Sequence, residues 1–371
     1  MLHIWVPELL ARKGGIQNYS AELVGAARAI LGPGRIRLLS KSDLPGSLEE
    51  RYGDGILLTS SGNISEAVRT PIFATRLLLA ARRERPALVI STHPHFAPAA
   101  VWLRTIFSIP AAVSAHGVEV WGLGPGRLRG ALGRVEMILP ISNFTRERMR
   151  KEIGLPAERF RVIPVTFDSD CFAPGRAPKG LRERYGFSPE DRVLLCVSRL
   201  VVSRQDKGYS RIVEIMPRLL PDFPGVRFLI VGQGDDRPNI ERRVGELGLE
   251  GKVILAGYVS DDELPGHYRM ADGFAMPSLR EGFGIVFLEA MGCGKRCLGG
   301  NRDAAVDALR GGELGILVDP ESPDDLEGGL RRLLTEPPPD PAELHRRVVR
   351  YFGREAFREK VSDLLSEFGL R

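Results

Sequence analysis

Two carboxylates eight residues apart stand in Arg280-Glu-Gly-Phe-Gly-Ile-Val-Phe-Leu-Glu-Ala-Met-Gly-Cys-Gly294, where a glycine-bearing turn runs into an apolar helix. The amides of Gly282, Phe283, Gly284 and Ile285 would point out of that helix start, where the macrodipole adds about half a positive charge. A diphosphate is the ligand such a turn suits. Glu281, on the turn, can accept hydrogen bonds from sugar hydroxyls; it can equally serve as an acid that complements the helix dipole. Glu289 lies about a turn and a half into the helix, among Phe287, Leu288, Ala290 and Met291. A lone carboxylate there is costly without a partner, and ribose hydroxyls are one partner that would fit.

A second cluster is Ser198-Arg-Leu-Val-Val-Ser-Arg-Gln-Asp-Lys-Gly208, which follows an apolar run. Arg199 offers a bidentate fork to phosphate and Lys207 a point charge. Singly, Arg199, Arg204 and Lys207 also read as surface cations. A third is Lys13-Gly-Gly-Ile-Gln17, between a first strand and a first helix. Gly14 and Gly15 let the backbone approach an anion, or simply turn the chain. The spacing is not the Gly-x-Gly-x-x-Gly dinucleotide fingerprint. The fourth is Ser114-Ala-His-Gly-Val-Glu-Val-Trp121. His116, at a strand end, can bond a sugar hydroxyl or polarise a reacting oxygen, or it can be structural. His93 and His95 lack an acidic or cysteine partner, so no metal site is assigned. A Gly-x-Ser-x-Gly elbow, a Walker loop and a His-Glu-x-x-His helix are all missing.

These residues need elements to hold them. Short apolar runs at 2–6, 36–39, 87–91, 111–115 and 137–141 read as buried parallel strands. Helical periodicity falls between them at 17–31, 64–85, 98–107 and 143–153. After a proline-bearing stretch, 164–190, the alternation resumes. Strands fit 193–197, 226–231, 253–255, 273–276 and 315–318; helices fit 209–220, 239–247, 261–271, 285–292 and 323–334. Helical segments at 343–351 and 355–368 close the chain. Strand–helix alternation means right-handed crossovers, so the expected class is α/β, two Rossmann-like doubly wound domains in tandem. Ligands of such sheets sit at the carboxyl ends of the strands, and a deep cleft between the domains is the default site.

The 371 residues suit two domains, and 43% hydrophobic with 27% charged composition excludes disordered, collagen-like and coiled-coil classes. No run approaches the ~18 apolar residues of a membrane span. The first residues lack the order of a secretory signal, and Cys171, Cys196, Cys293 and Cys297 form no disulfide framework. A cytoplasmic, reduced protein is expected. The net charge of +5 is lopsided: residues 1–180 hold 24 Lys and Arg against 15 Asp and Glu, the rest 28 against 32. An acidic partner of the first half is one reading, uneven solubility charge the other. Residues 64–85 form a basic helix with an apolar face, which suits an anionic membrane or a core position alike.

In this order the four clusters resemble family 4 of the retaining glycosyltransferases, also described as glycosyl transferases group 1. The Glu281-x7-Glu289 motif is the most specific element; Ala115-His-Gly-Val-Glu-Val-Trp121 and Val231-Gly-Gln-Gly234 add to it. The resemblance implies the GT-B fold. It divides the chain into an acceptor-binding domain at 1–165, a linker at 166–190, a nucleotide-sugar domain at 191–350, and a helix at 351–371 packed back on the first domain. It implies a peripheral enzyme of polysaccharide biosynthesis that moves a sugar from a UDP- or GDP-sugar to a glycan or lipid-linked acceptor. No cofactor, metal or nucleic acid is expected. Gly14 and Gly15 would lie by the diphosphate, and Arg199 and Lys207 would grip it. Glu281 and the amides from Phe283 to Ile285 would hold the sugar. Glu289 would take the ribose, while Gly232, Gly234, Tyr258 and Val259 would border the base. His116 would approach the reaction centre. Retention in the family is ascribed to front-face attack. A GT-B-fold sugar-nucleotide epimerase or hydrolase, a nicotinamide oxidoreductase and a basic nucleic-acid-binding protein are the competing classes.

Overall fold

The computed structural model describes residues 1–11, 14–202 and 207–371. Lys13 and Arg204, named above, lie outside the described residues. The chain divides into two units, one of Met1–Thr166 with Arg354–Arg371, the other of Phe167–Gly353.

In the first unit six strands form one parallel sheet: β1 (Leu2–Val6), β2 (Ile36–Ser40), β3 (Leu57–Ser60), β4 (Leu88–Ser91), β5 (Ala111–Ala115) and β6 (Met137–Pro140). Their order is β3-β2-β1-β4-β5-β6. All five residues of β1 and of β5 are buried, the polar His3 and Ser114 included, as strands covered on both faces must be. The crossovers carry α1 (Gly15–Leu31), α2 (Pro45–Tyr52), α3 (Glu66–Glu84), α4 (Ala97–Phe107) and α5 (Arg127–Leu132), and α6 (Asn143–Ile153) follows β6. The Ser142 hydroxyl accepts the Thr145 N–H to start α6, and Gly154, at φ 80°, stops it.

The second unit repeats the plan. Strands β7 (Arg192–Val197), β8 (Val226–Val231), β9 (Val253–Gly257), β10 (Gly273–Met276), β11 (Cys297–Gly300) and β12 (Gly315–Val318) lie in the order β12-β11-β10-β7-β8-β9. Around them run α7 (Leu181–Arg184), α8 (Tyr209–Leu219), α9 (Arg237–Glu246), α10 (Leu264–Met270), α11 (Ile285–Gly292), α12 (Ala305–Ala308), α13 (Pro323–Thr335) and α14 (Pro341–Phe352). The last helix, α15 (Arg354–Glu367), belongs to the first unit, where Phe357 meets Tyr19 of α1 edge to face at 5.9 Å.

Each sheet has one strand more than the apolar runs suggest. β3 is a four-residue edge strand with no buried position, so it leaves little hydrophobic signal. β11 reads Cys-Leu-Gly-Gly yet is buried throughout. Its glycines answer to packing: a Cβ on Gly299 would fall 2.9 Å from Leu309, and one on Gly300 2.2 Å from the Ser278 carbonyl oxygen. The proline-bearing stretch is packed rather than extended away. From Phe167 onward it groups with the second unit, and Phe167 and the Phe172 carbonyl close to within 2.6 Å of where a Gly292 Cβ would stand.

In both sheets the strand order reverses once, between β1 and β4 and between β10 and β7. Successive connections diverge there, and at such points sheets of this kind take ligands at the carboxyl ends of their strands. Gly14 and Gly15 follow β1; Arg199 and Lys207 follow β7; Glu281 follows β10.

Candidate active site

At the second reversal the loops after β7 and β10 touch. Gly208, at φ 80°, lies so close to the Pro277 carbonyl that a Cβ would fall 2.1 Å from its oxygen. Only glycine permits that approach. It sets Lys207 beside Glu281, with Nζ 2.7 Å from Oε2 and side-chain exposures of 12% and 18%. The other carboxylate oxygen accepts the N–H groups of Gly282 at 3.0 Å and Phe283 at 3.4 Å. Burial opposes the charge on Glu281. Lys207 and the two amides outweigh it and hold the carboxyl below its ordinary value, so Glu281 is ionised.

Asp303, fully buried in the loop after β11, holds the backbone of this turn. One of its oxygens accepts the Ser278 hydroxyl and the Glu281 N–H, each at 2.7 Å, and the other accepts the Ala305 N–H at 2.9 Å. In return the Ala304 N–H donates to the Glu281 carbonyl at 3.1 Å. Burial pushes the Asp303 carboxyl up to about 7 against these bonds. The chain then enters α11 through Gly284, at φ 92°, with no side chain capping the helix. The sequence reading offered Gly282 to Ile285 as ligand amides. The structure narrows that set, because Gly282 and Phe283 already donate to Glu281. Gly284 and Ile285 remain at the open helix start.

Arg199 differs from Lys207. It stands just beyond β7 and is exposed. Gly232 and Gly234 follow β8 and have a structural duty: their Cβ atoms would fall 1.8 Å from the Ser198 carbonyl oxygen and 1.7 Å from that of Leu200. The Gly232 N–H donates to the Gly257 carbonyl at 2.8 Å, so the ends of β7, β8 and β9 are drawn together. Tyr258 projects beside them, 61% exposed, with Val259 half-buried.

Glu289 is half-buried on α11 and has a partner that the sequence did not suggest. The buried Tyr268 hydroxyl of α10 donates to its Oε2 at 2.8 Å. Burial pushes Glu289 up to about 7, the Tyr268 bond pulling the other way. Tyr268, Asp303 and Ser278 were the residues missed. Tyr268 is 21 positions from Glu289, beyond any helical spacing, and an Asp within Gly-Gly-Asn-Arg-Asp-Ala-Ala was the one cue to Asp303.

The remaining candidates lie in the first unit. Gly15 opens α1, whose first turn holds no acidic residue, and nothing stands within 4 Å of a Gly15 Cβ. His116 follows β5 and is 8% exposed. Its Nε2 is 2.8 Å from the Thr92 carbonyl, which can only accept, so Nε2 carries the proton and Nδ1 the lone pair. Its backbone N–H donates to Glu119, and its ring meets Tyr19 at 5.0 Å. Burial lowers the His116 pKa, so the ring is neutral and serves as an acceptor, not as a charged acid. His93 Nδ1 accepts the His95 N–H. Among the described residues no three His, Cys, Asp or Glu side chains converge as a metal site.

Each of the two α/β units has a parallel six-stranded sheet whose strand order reverses once, and the second holds a Lys–Glu pair beside an uncapped helix. Residues 13–170 match the family model Glycosyltransferase Family 4, and residues 179–353 match Glycosyl transferases group 1. The chain belongs to this glycosyltransferase family. It is 33% identical over 237 residues to a GDP-mannose-dependent alpha-(1-6)-phosphatidylinositol monomannoside mannosyltransferase of Mycolicibacterium smegmatis, 60% of each chain. It is 29% identical over 251 residues to the alpha-D-kanosaminyltransferase of Streptomyces kanamyceticus, 63% of this chain and 64% of that one. The chain thus spans less than two thirds of the length of these relatives. Its fold matches Anabaena HepE in complex with UDP at TM-score 0.78 and 18% identity, over 99% of both chains. Sucrose-phosphate synthase of Thermosynechococcus elongatus matches at 0.79 and 20%, again over 99% of both. The two sheets are those of the GT-B fold.

Removing one partner of a nearly buried ion pair strands the other. Lys207→Met or Glu281→Leu alone is expected to cost about 3 kcal/mol of stability, and the double variant to recover most of it. Urea unfolding of the three variants and the parent checks this.

Proposed function

We propose that this protein is a retaining glycosyltransferase that moves a hexosyl group from a nucleotide-diphosphate sugar to a glycan or lipid-linked acceptor. The Lys207–Glu281 pair at the sheet reversal, beside the open start of α11, carries the reading. A diphosphate arriving there takes over Lys207 and frees a Glu281 oxygen to accept a hydroxyl of the transferred sugar. The helix start and Arg199 add positive charge where the leaving group gains negative charge, the electrostatic role that a metal ion fills in other enzymes. The bond between the anomeric carbon and the phosphate oxygen breaks, and the acceptor oxygen attacks from the same face. Its proton passes to the departing phosphate. In this reading Gly14 and Gly15 meet the diphosphate, and the lone pair on Nδ1 of His116 accepts a sugar hydroxyl. The free oxygen of Glu289 takes the ribose, and the exposed Tyr258, with Val259, Gly232 and Gly234, borders the base.

The names of the relatives bear on the donor. One is called GDP-mannose-dependent and acts on a phosphatidylinositol mannoside, and the HepE structure holds UDP. Both support a UDP- or GDP-sugar, and the first supports a lipid-linked acceptor. A peripheral position on a membrane is favoured by one surface. α3 and α4 of the first unit expose Val68, Ile72, Leu79, Trp102 and Ile106, with Arg82 and Arg83 exposed on α3. No helix among the described residues is long and apolar enough to cross a membrane.

Transfer from a nucleotide sugar is expected to fall by orders of magnitude in Lys207→Met, in Glu281→Leu and equally in the double variant. Recovered turnover in the double variant would reduce the pair to a structural ion pair. Nucleotide-sugar affinity, measured by calorimetry between about pH 5.5 and 8.5, should weaken as pH falls through about 7 and Glu289 takes up a proton. Tyr268→Phe deletes a bond that favours the charged form, so its midpoint should move up; an unshifted profile contradicts the ribose role. Vesicles containing anionic lipid should pellet the protein at low salt and release it as salt rises, and Trp102→Ser with Leu79→Ser should weaken pelleting.

A further inference from the structure

On the first unit a cavity of about 370 Å³ opens between α1, α2 and the start of α15. Its floor is apolar: Val24, Ile56 and Phe357 are buried there, and Tyr52 stands half-buried at the side. Its rim is cationic. Arg28, Arg51, Arg354 and Arg358 line it, against one lining carboxylate, Glu22.

The ion pairs of these arginines leave the rim available. Arg28 bonds Asp54, whose side chain is 95% exposed, and Arg358 bonds Glu355, 72% exposed; neither carboxylate lines the cavity. Glu22 is engaged by Arg354 at 3.0 Å. Surface pairs of that kind contribute little, whereas a phosphate takes bidentate, charge-assisted bonds from guanidinium groups. An incoming phosphate therefore displaces Asp54 and Glu355 into water at small cost. A second observation points into the same space. Gly25 sits in the middle of α1, where glycine weakens a helix, and apart from its chain neighbours and the helix's own backbone no atom lies within 4 Å of where its Cβ would be. No neighbouring element requires this glycine. It keeps the cavity wall flat.

We infer that this cavity is a binding site for a small phosphate-bearing molecule with a flat apolar body, separate from the Lys207–Glu281 site. The volume falls within the range of small-molecule pockets, the floor accepts a ring, and the rim accepts the phosphate. Arg354 is the first residue of the segment that returns to this unit, so the occupant would fasten that segment to α1.

Phenyl phosphate is a suitable probe, titrated by calorimetry into the intact protein. Saturable binding at one site is expected, with phenol and inorganic phosphate each at least tenfold weaker. Arg51→Ala with Arg358→Ala should weaken phenyl phosphate at least tenfold, and Gly25→Leu, which fills the space, should do the same. Lys207→Ala should leave it unchanged. Undiminished affinity in the double arginine variant, loss of binding in Lys207→Ala, or the absence of saturation overturns the site. Both arginine side chains lie at the rim, and matching thermal melts of parent and double variant show that lost affinity is not lost fold. The Lys207→Ala arm separates this result from any failure of the donor-site reading.

Discussion

Lys207 and Glu281 are held 2.7 Å apart where neither side chain keeps more than 18% of its surface exposed. Two charges so placed are costly unless every remaining hydrogen-bonding position is met. The turn after β10 meets those of Glu281. Gly282 and Phe283 give their amides to one oxygen of Glu281, Lys207 takes the other, and Asp303 fixes the backbone from below. The pair is therefore both a structural joint and a chargeable site. Under the proposed function, a ligand that offers negative charge to Lys207 and hydroxyls to Glu281 would replace the joint with bonds of the same kind.

The glycines around this joint are set by close backbone approach. Gly208 against Pro277, Gly232 against Ser198 and Gly234 against Leu200 each leave no room for a Cβ. They bring the loops after β7, β8 and β10 together at the strand ends where the sheet order reverses. Gly25 is of the opposite kind: a Cβ there would meet open space, as one on Gly15 would, and it lines the arginine-rimmed cavity.

The lopsided charge of the sequence survives the folding of the last helix onto the first unit. Residues 1–166 with 354–371 hold 26 Lys and Arg against 17 Asp and Glu, and residues 167–353 hold 26 against 30. The proposed donor cations, Arg199 and Lys207, thus sit in the more acidic unit. The positive excess of the first unit is left for the α3–α4 face and for the four arginines of its cavity.

By itself the sequence determined the α/β class, the tandem doubling, the Glu281-x7-Glu289 helix start and the cations after β7, because these are written in local periodicity and short spacings. It left β3 and β11 unread, one for want of buried positions and the other because its glycines answer to side chains and a loop carbonyl packed against them. Tertiary structure alone decided that Lys207 pairs with Glu281 across 74 residues, that Tyr268 supplies the partner of Glu289, and that Asp303 supports the turn. It also gave His116 its tautomer, through the carbonyl of Thr92 on a neighbouring strand end. The physical reason is common to all four. A buried polar atom is satisfied by whichever group the fold brings within about 3 Å, and no short-range pattern encodes that neighbour.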